Sequence, residues 1–112
     1  MPELTISEIM REAHETATAK GWHEKPANFG EQLMLGVTEL AEAMEEHRCG
    51  EPFDRIWFED SGKPVGIPIE LADVVIRVCD LCQELRIPLV RAIAEKMAYN
   101  KTRTHKHGGK VV

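Results

Sequence analysis

Aromatic residues are scarce: Phe, Trp and Tyr make up 5% of the 112 residues. Pleated surfaces favour aromatic and β-branched side chains, so this composition argues against a β-sandwich or barrel. No apolar run approaches the roughly 18 residues that a membrane-spanning helix needs. Cysteines number three, an odd count that supports no disulfide framework and reads as reduced thiols, with a cytoplasmic location as the expectation. The opening residues, M-P-E-L-T-I-S-E, are acidic and amphipathic and lack the basic start and apolar run of a secretory signal. Basic residues are in deficit: 14 Lys and Arg stand against 19 Asp and Glu, a formal charge of −5. That balance disfavours a general binder of nucleic acid or anionic membrane, because phosphate backbones need a basic face. Internal repeats and low-complexity segments are also missing.

What remains is a soluble globular composition, 43% hydrophobic and 29% charged. The length suits one domain over residues 1–104. A chain of this size buries roughly two-thirds of its unfolded surface, enough for a core. It is too short for a deep enzyme cavity of its own, so a sizeable ligand site is expected to need a second subunit.

Helical periodicity dominates. Thr5 caps a first helix, with Glu8 completing a capping box. Ile6, Ile9, Met10, Ala13 and Ala17 form its apolar stripe, and Gly21 stops it. Asn28 and Glu31 repeat the capping signature and open a second helix. There Leu33, Val37, Leu40 and Met44 follow at i, i+4, i+7 and i+11, one tight apolar face, and Gly50 and Pro52 end it. Residues 50–66 are irregular, with a short strand over 55–58 and a turn at Ser61 and Gly62 leading back toward Val65. Pro68 opens a third helix that runs to about Leu85, and Pro88 opens a fourth that runs to about Arg103. The expected architecture is an all-α, four-helix-type bundle with one irregular loop. Residues 105–112, with Gly108 and Gly109, read as a flexible tail.

Carboxylates recur at helical spacing. On the second helix Glu31, Glu39, Glu42 and Glu46 lie opposite the Leu33 stripe. Taken alone, that is an ordinary solvated face. The third helix, I-P-I-E-L-A-D-V-V-I-R-V-C-D-L-C-Q-E-L, is apolar around most of its circumference, so it is expected to be buried on most sides. Its polar residues form one narrow stripe: Glu70, Asp73, Arg77, Asp80 and Glu84. Carboxylates on a core helix are costly unless paired or bound to a cation. Arg77, one turn beyond Asp73, can neutralise one of them but not the set. If the second helix faces this stripe, Glu39, Glu42, Glu70 and Asp73 converge, an all-oxygen cluster suited to Mg²⁺ or Mn²⁺.

On the fourth helix Lys96, Asn100 and Arg103 share a face opposite an expected core stripe of Leu89, Ile93 and Met97. A basic helix end complementing the dipole is the plain account. Beside a metal cluster, the same face can hold phosphate oxygens. Cys79 and Cys82 read as small core residues rather than zinc ligands with His105 and His107. His14 and His23 read as ordinary polar positions.

These motifs resemble a known family. E-L-A-E at residues 39–42, E-L-A-D at 70–73 and K-M-A-Y-N-K-T-R at 96–103 are similar to the all-α nucleoside triphosphate pyrophosphohydrolases of the MazG-like group. The likeness extends from A-K-G-W, ending at Trp22, to the H-G-G-K tail. It implies a dimer or dimer-based tetramer with sites at the subunit interface. It also implies Mg²⁺-dependent cleavage between the α and β phosphates, deoxynucleotides included, giving a nucleoside monophosphate and pyrophosphate. By motif position Glu39, Glu42, Glu70 and Asp73 are the implied metal ligands, with Glu39 as the alternative for orienting the attacking water. Lys96, Asn100 and Arg103 are the implied phosphate contacts, and Tyr99 lies near the nucleotide. Trp22 either stacks on the base or anchors its loop half-buried. Thr38 stands where many relatives carry a further acid, and Glu45 or Glu46 is the available substitute. Two other readings stand beside this one: the same chemistry on a related nucleotide such as a phosphoribosyl nucleotide, and a non-catalytic nucleotide-sensing or interaction module.

Overall fold

Capping residues set the helix limits in the computed structural model, which describes residues 3–26 and 28–103. Thr5 accepts a hydrogen bond from the Glu8 backbone N–H at 3.1 Å and starts α1 (Ile6–Ala19). The Glu8 carboxylate takes the Thr5 hydroxyl at 2.9 Å. Gly21, at φ +80°, ends the helix in a Schellman turn. Its N–H reaches the Thr18 carbonyl at 3.1 Å, and the Trp22 N–H reaches Ala17 at 3.0 Å. Asn28 caps α2 (Phe29–Arg48) by accepting from the Glu31 N–H at 3.0 Å. Gly50 closes it with the same left-handed geometry.

The irregular segment folds into an antiparallel hairpin of β1 (Trp57–Phe58) and β2 (Pro64–Val65), with Trp57 opposite Val65 and Phe58 opposite Pro64. Glu51 ties it to the end of α2, accepting from Trp57 Nε1 at 2.9 Å and from Arg55 at 3.0 Å. Helices α3 (Ile67–Leu85) and α4 (Leu89–Thr102) follow. Pro68 is the second residue of α3 and Pro88 caps α4, each one place from its expected position. The class is all-α, with four helices and one two-stranded sheet among the described residues. The expected tail, residues 105–112, lies outside them. Among the described residues no helix is long and apolar enough to cross a membrane.

α3 is the centre of the packing. Met10 of α1 meets Cys79 and Cys82 of α3, and Ile6, Ile9, Ile87 and Leu89 close around them. Both cysteines are buried free thiols, as core residues should be. α2 crosses α3 in the opposite direction, since Glu39 meets Arg77 while Glu42 meets Glu70.

One condition is met here and two expectations change. The face that α2 turns to α3 is its acidic side: its buried residues are Glu39 and Ala43. The Leu33, Val37, Leu40 and Met44 stripe is exposed instead. The cause is the polar stripe of α3, whose Arg77 draws Glu39 inward. α3 is also not enclosed on most sides, because Leu71, Val75, Ile76 and Val78 remain open to solvent. Finally, α4 contributes only its first turns to the core. It has no buried residue, and Met97 is 57% exposed.

Gly66 joins the hairpin to α3 at φ +124°, where a Cβ would run into the Arg55 carbonyl oxygen. Gly66→Ala is therefore expected to cost about 1–3 kcal/mol, read as a lowered urea midpoint at constant m.

Candidate functional site

Glu39 sits midway along α2, only 8% exposed, and its Oε1 accepts from Arg77 Nε at 3.0 Å. Carboxylate oxygens of Glu39, Glu70 and Asp73 all lie within 4.8 Å of one another. Glu42, three residues on from Glu39, reaches the same place from α2 and engages Glu70. The α2–α3 crossing thus brings three of the four expected acids, Glu39, Glu70 and Asp73, into one group, with exposed Glu42 beside Glu70 at its edge. The i, i+3 spacing in each motif places two carboxylates one turn apart on one face.

Electrostatics follow from this crowding. Glu70 is pushed up to about 7. Desolvation is the main cause, followed by hydrogen bonding to and repulsion from Glu42, with Glu39 and Asp73 adding to it. Asp73 is also raised, by burial first and by Glu39 next, against the opposing charges of Arg77 and Lys63. Four carboxylates therefore face two cations. Arg77, expected to pair with Asp73 on its own helix, bonds instead to Glu39 across the crossing, while its charge still acts on Asp73. Lys63 arrives from the hairpin turn. Nothing in the local sequence marks it, because only the folding back of residues 50–66 brings it near Asp73. An all-oxygen donor set with unneutralised negative charge fits a hard divalent cation.

A cleft of about 490 Å³ adjoins this centre, lined by Trp22, His23, Gln32, Ile76, Arg77 and Asp80 among others. That volume is within the ordinary range for small-molecule sites. One chain thus forms a ligand-sized recess that is open, not the deep cavity excluded by its length. Trp22 is 69% exposed at its edge, which removes the half-buried anchor as an account of this residue.

The basic set is not brought to the acids within one chain. Lys96 Nζ and Arg103 Cζ lie over the Tyr99 ring, 5.1 and 5.8 Å from its centre. No hydrogen bond or ion pair joins Lys96, Asn100 or Arg103 to the carboxylates among the described residues. The reason is α4 itself, which turns away after its first turns. Thr38 donates to the Leu35 carbonyl at 2.6 Å and offers nothing to the centre. Glu45, one of its two substitutes, is taken by Arg48 at 3.6 Å. Glu46, the other, is half-buried.

His14 and His23 are not ordinary polar positions. Each is half-buried and bonded to a carboxylate of α3, His14 to Glu84 and His23 to Asp80. The His14 hydrogen bond holds Glu84 below the usual carboxylate range. The α3 stripe carried the signal for these partners, but their pairing depends on where α1 lands.

No family model, no curated protein and no solved structure matches this chain.

Glu70 holds its proton more tightly in the folded chain than at its ordinary value of 4.5. Its contribution to stability is therefore complete below pH 4.5 and is lost as the pH rises toward about 7. Without divalent ions, thermal unfolding should show Tm falling across that window. Glu70→Gln should flatten the slope.

Proposed function

We propose that this chain is a divalent-metal-dependent nucleoside triphosphate pyrophosphohydrolase of the MazG-like kind, working as a homodimer or dimer-based tetramer. The observation that carries this reading is the meeting of the E-L-A-E and E-L-A-D carboxylates at the α2–α3 crossing. The products are a nucleoside monophosphate and pyrophosphate. Deoxynucleotides are among the substrates, which suits sanitation of a nucleotide pool.

Glu39, Glu42, Glu70 and Asp73 would hold Mg²⁺, with Mn²⁺ as a substitute. When bound, the ion offers Lewis acidity at phosphate oxygens and a lowered pKa for water. Arg77 fixes Glu39 in direction through its 3.0 Å bond. Trp22, exposed beside the cleft, supplies a flat face for the base. Arg77 lines the cleft and also bonds the acidic centre, so a nucleotide can lie with its base in the recess and its phosphates at the carboxylates.

Association with a second copy is supported by the apolar surface left open on α2 and α3. Leu33, Val37, Leu40 and Met44 form a stripe of the width that helix pairing uses. A second chain also gives Lys96, Asn100 and Arg103 a site to serve, since they do not reach the acids of their own chain. Tyr99 goes with them toward the nucleotide.

A panel of ribonucleoside and deoxyribonucleoside triphosphates and a phosphoribosyl nucleotide, assayed for pyrophosphate with and without Mg²⁺, tests the activity. Mg²⁺-dependent release is expected. No turnover on any member would point to a non-catalytic module. Glu70→Gln should lower the rate by more than about 100-fold with the helical spectrum unchanged. Full activity in that variant would sink the assignment. Leu40→Glu should convert the assembly to monomers in light scattering.

A further inference from the structure

The polar stripe of α3 continues past Arg77 and meets a second group of ligating side chains. His14 of α1 places Nε2 2.8 Å from Glu84 Oε1. His23, in the turn after α1, places Nε2 2.7 Å from Asp80 Oδ1 and its other nitrogen, Nδ1, 3.8 Å from Glu84 Oε2. The two imidazoles stack at 5.1 Å with 25° between their planes. One ligand atom each from His14, His23 and Glu84 lies within 4.8 Å of the other two.

The roles of the two His23 nitrogens follow from their neighbours. In the tautomer that carries its proton on Nε2 and donates it to Asp80, Nδ1 carries the lone pair and faces Glu84. A lone pair and a carboxylate oxygen at 3.8 Å have no proton to share. An ion between them would draw them a few tenths of an ångström closer and would replace the proton that His14 and Glu84 share at 2.8 Å. Metal bonds of about 2.0–2.2 Å put neighbouring ligand atoms of a tetrahedral site roughly 3.3–3.6 Å apart. A carboxylate behind a histidine, fixing its tautomer and aim, is the usual support for a metal-bound imidazole. Two imidazoles and a carboxylate favour a borderline ion such as Zn²⁺ over Mg²⁺, which prefers oxygen alone.

We propose that His14, His23 and Glu84 form a second metal site, selective for Zn²⁺ or a similar nitrogen-preferring divalent ion, with Asp80 as the positioning residue for His23. The site joins α1 and the Trp22 turn to α3. His23 and Asp80 also line the cleft, so a bound ion would hold the wall that carries Trp22. It stands apart from the acidic centre, as Glu84 lies fourteen residues beyond Glu70, about 21 Å along the helix. It does not depend on the proposed activity.

The test uses the full chain carrying Glu70→Gln, stripped with chelator, so that the acidic centre is weakened. Zn²⁺ is titrated by calorimetry, and Co²⁺ by its visible absorption. The expected result is one Zn²⁺ per chain with a rise in Tm that Mg²⁺ does not produce. His14→Gln or His23→Gln should abolish binding, and Asp80→Asn should weaken it about 10–100-fold. Far-UV dichroism checks each variant, and Asp80→Asn, which leaves both ligating rings in place, keeps the test valid if a histidine variant unfolds. Zn²⁺ affinity unchanged in Asp80→Asn and in the folded histidine variants would overturn the site. So would binding that disappears only when His105 and His107 are replaced.

Discussion

Repulsion among carboxylates at the α2–α3 crossing is the constraint around which this molecule is arranged. Two helices that each carry acids one turn apart pack with those acids facing inward. Glu39 is buried, and among the described residues Arg77 and Lys63 offset the charge. A purely structural contact would be better served by aliphatic residues, which need no compensating charge. The sequence holds such residues on the opposite side of α2 and leaves them exposed. The fold therefore gives up packing to assemble negative charge, and Glu70 shows the consequence by retaining its proton toward neutrality. Local conflict of this kind is characteristic of functional sites.

The exposed apolar surface has the same origin. Once the acidic side of α2 faces α3, no described segment of the chain covers Leu33, Val37, Leu40 and Met44. α3 meets α1 through a small cluster around Met10, Cys79 and Cys82, and α4 adds little beyond Leu89. So small a core is thin for a chain of this length. The proposed assembly would cover the open stripe and bring cations to acids that they do not reach within one chain. Stability and site formation would then be linked, because one contact would serve both.

α3 organises two centres along a single stripe. Its first half meets the carboxylates of α2, and its second half meets the histidines that α1 and its turn supply. Arg77 lies between them and belongs to both the acidic centre and the cleft. Its bond crosses between helices rather than closing on Asp73, which lets one guanidinium fix Glu39 and still act on Asp73.

Much of this was legible without coordinates. Caps at Thr5 and Asn28, stops at Gly21 and Gly50, and the hairpin turn near Gly62 are local events, decided by side chains within a few residues of the backbone that they satisfy. The meeting of Glu39, Glu70 and Asp73, with Glu42 beside Glu70, was legible too, since helical spacing sets which residues share a face. That the apolar stripe of α2 is left open was not, because such a stripe looks the same whether a neighbour in the chain covers it or none does. Lys63, the pairing of His14 with Glu84, and the departure of α4 from the acids each depend on how distant segments land on one another. Periodicity determined the helices and their stripes; only the docking of helices, a balance of charge pairing and burial between remote parts of the chain, decided which stripes meet.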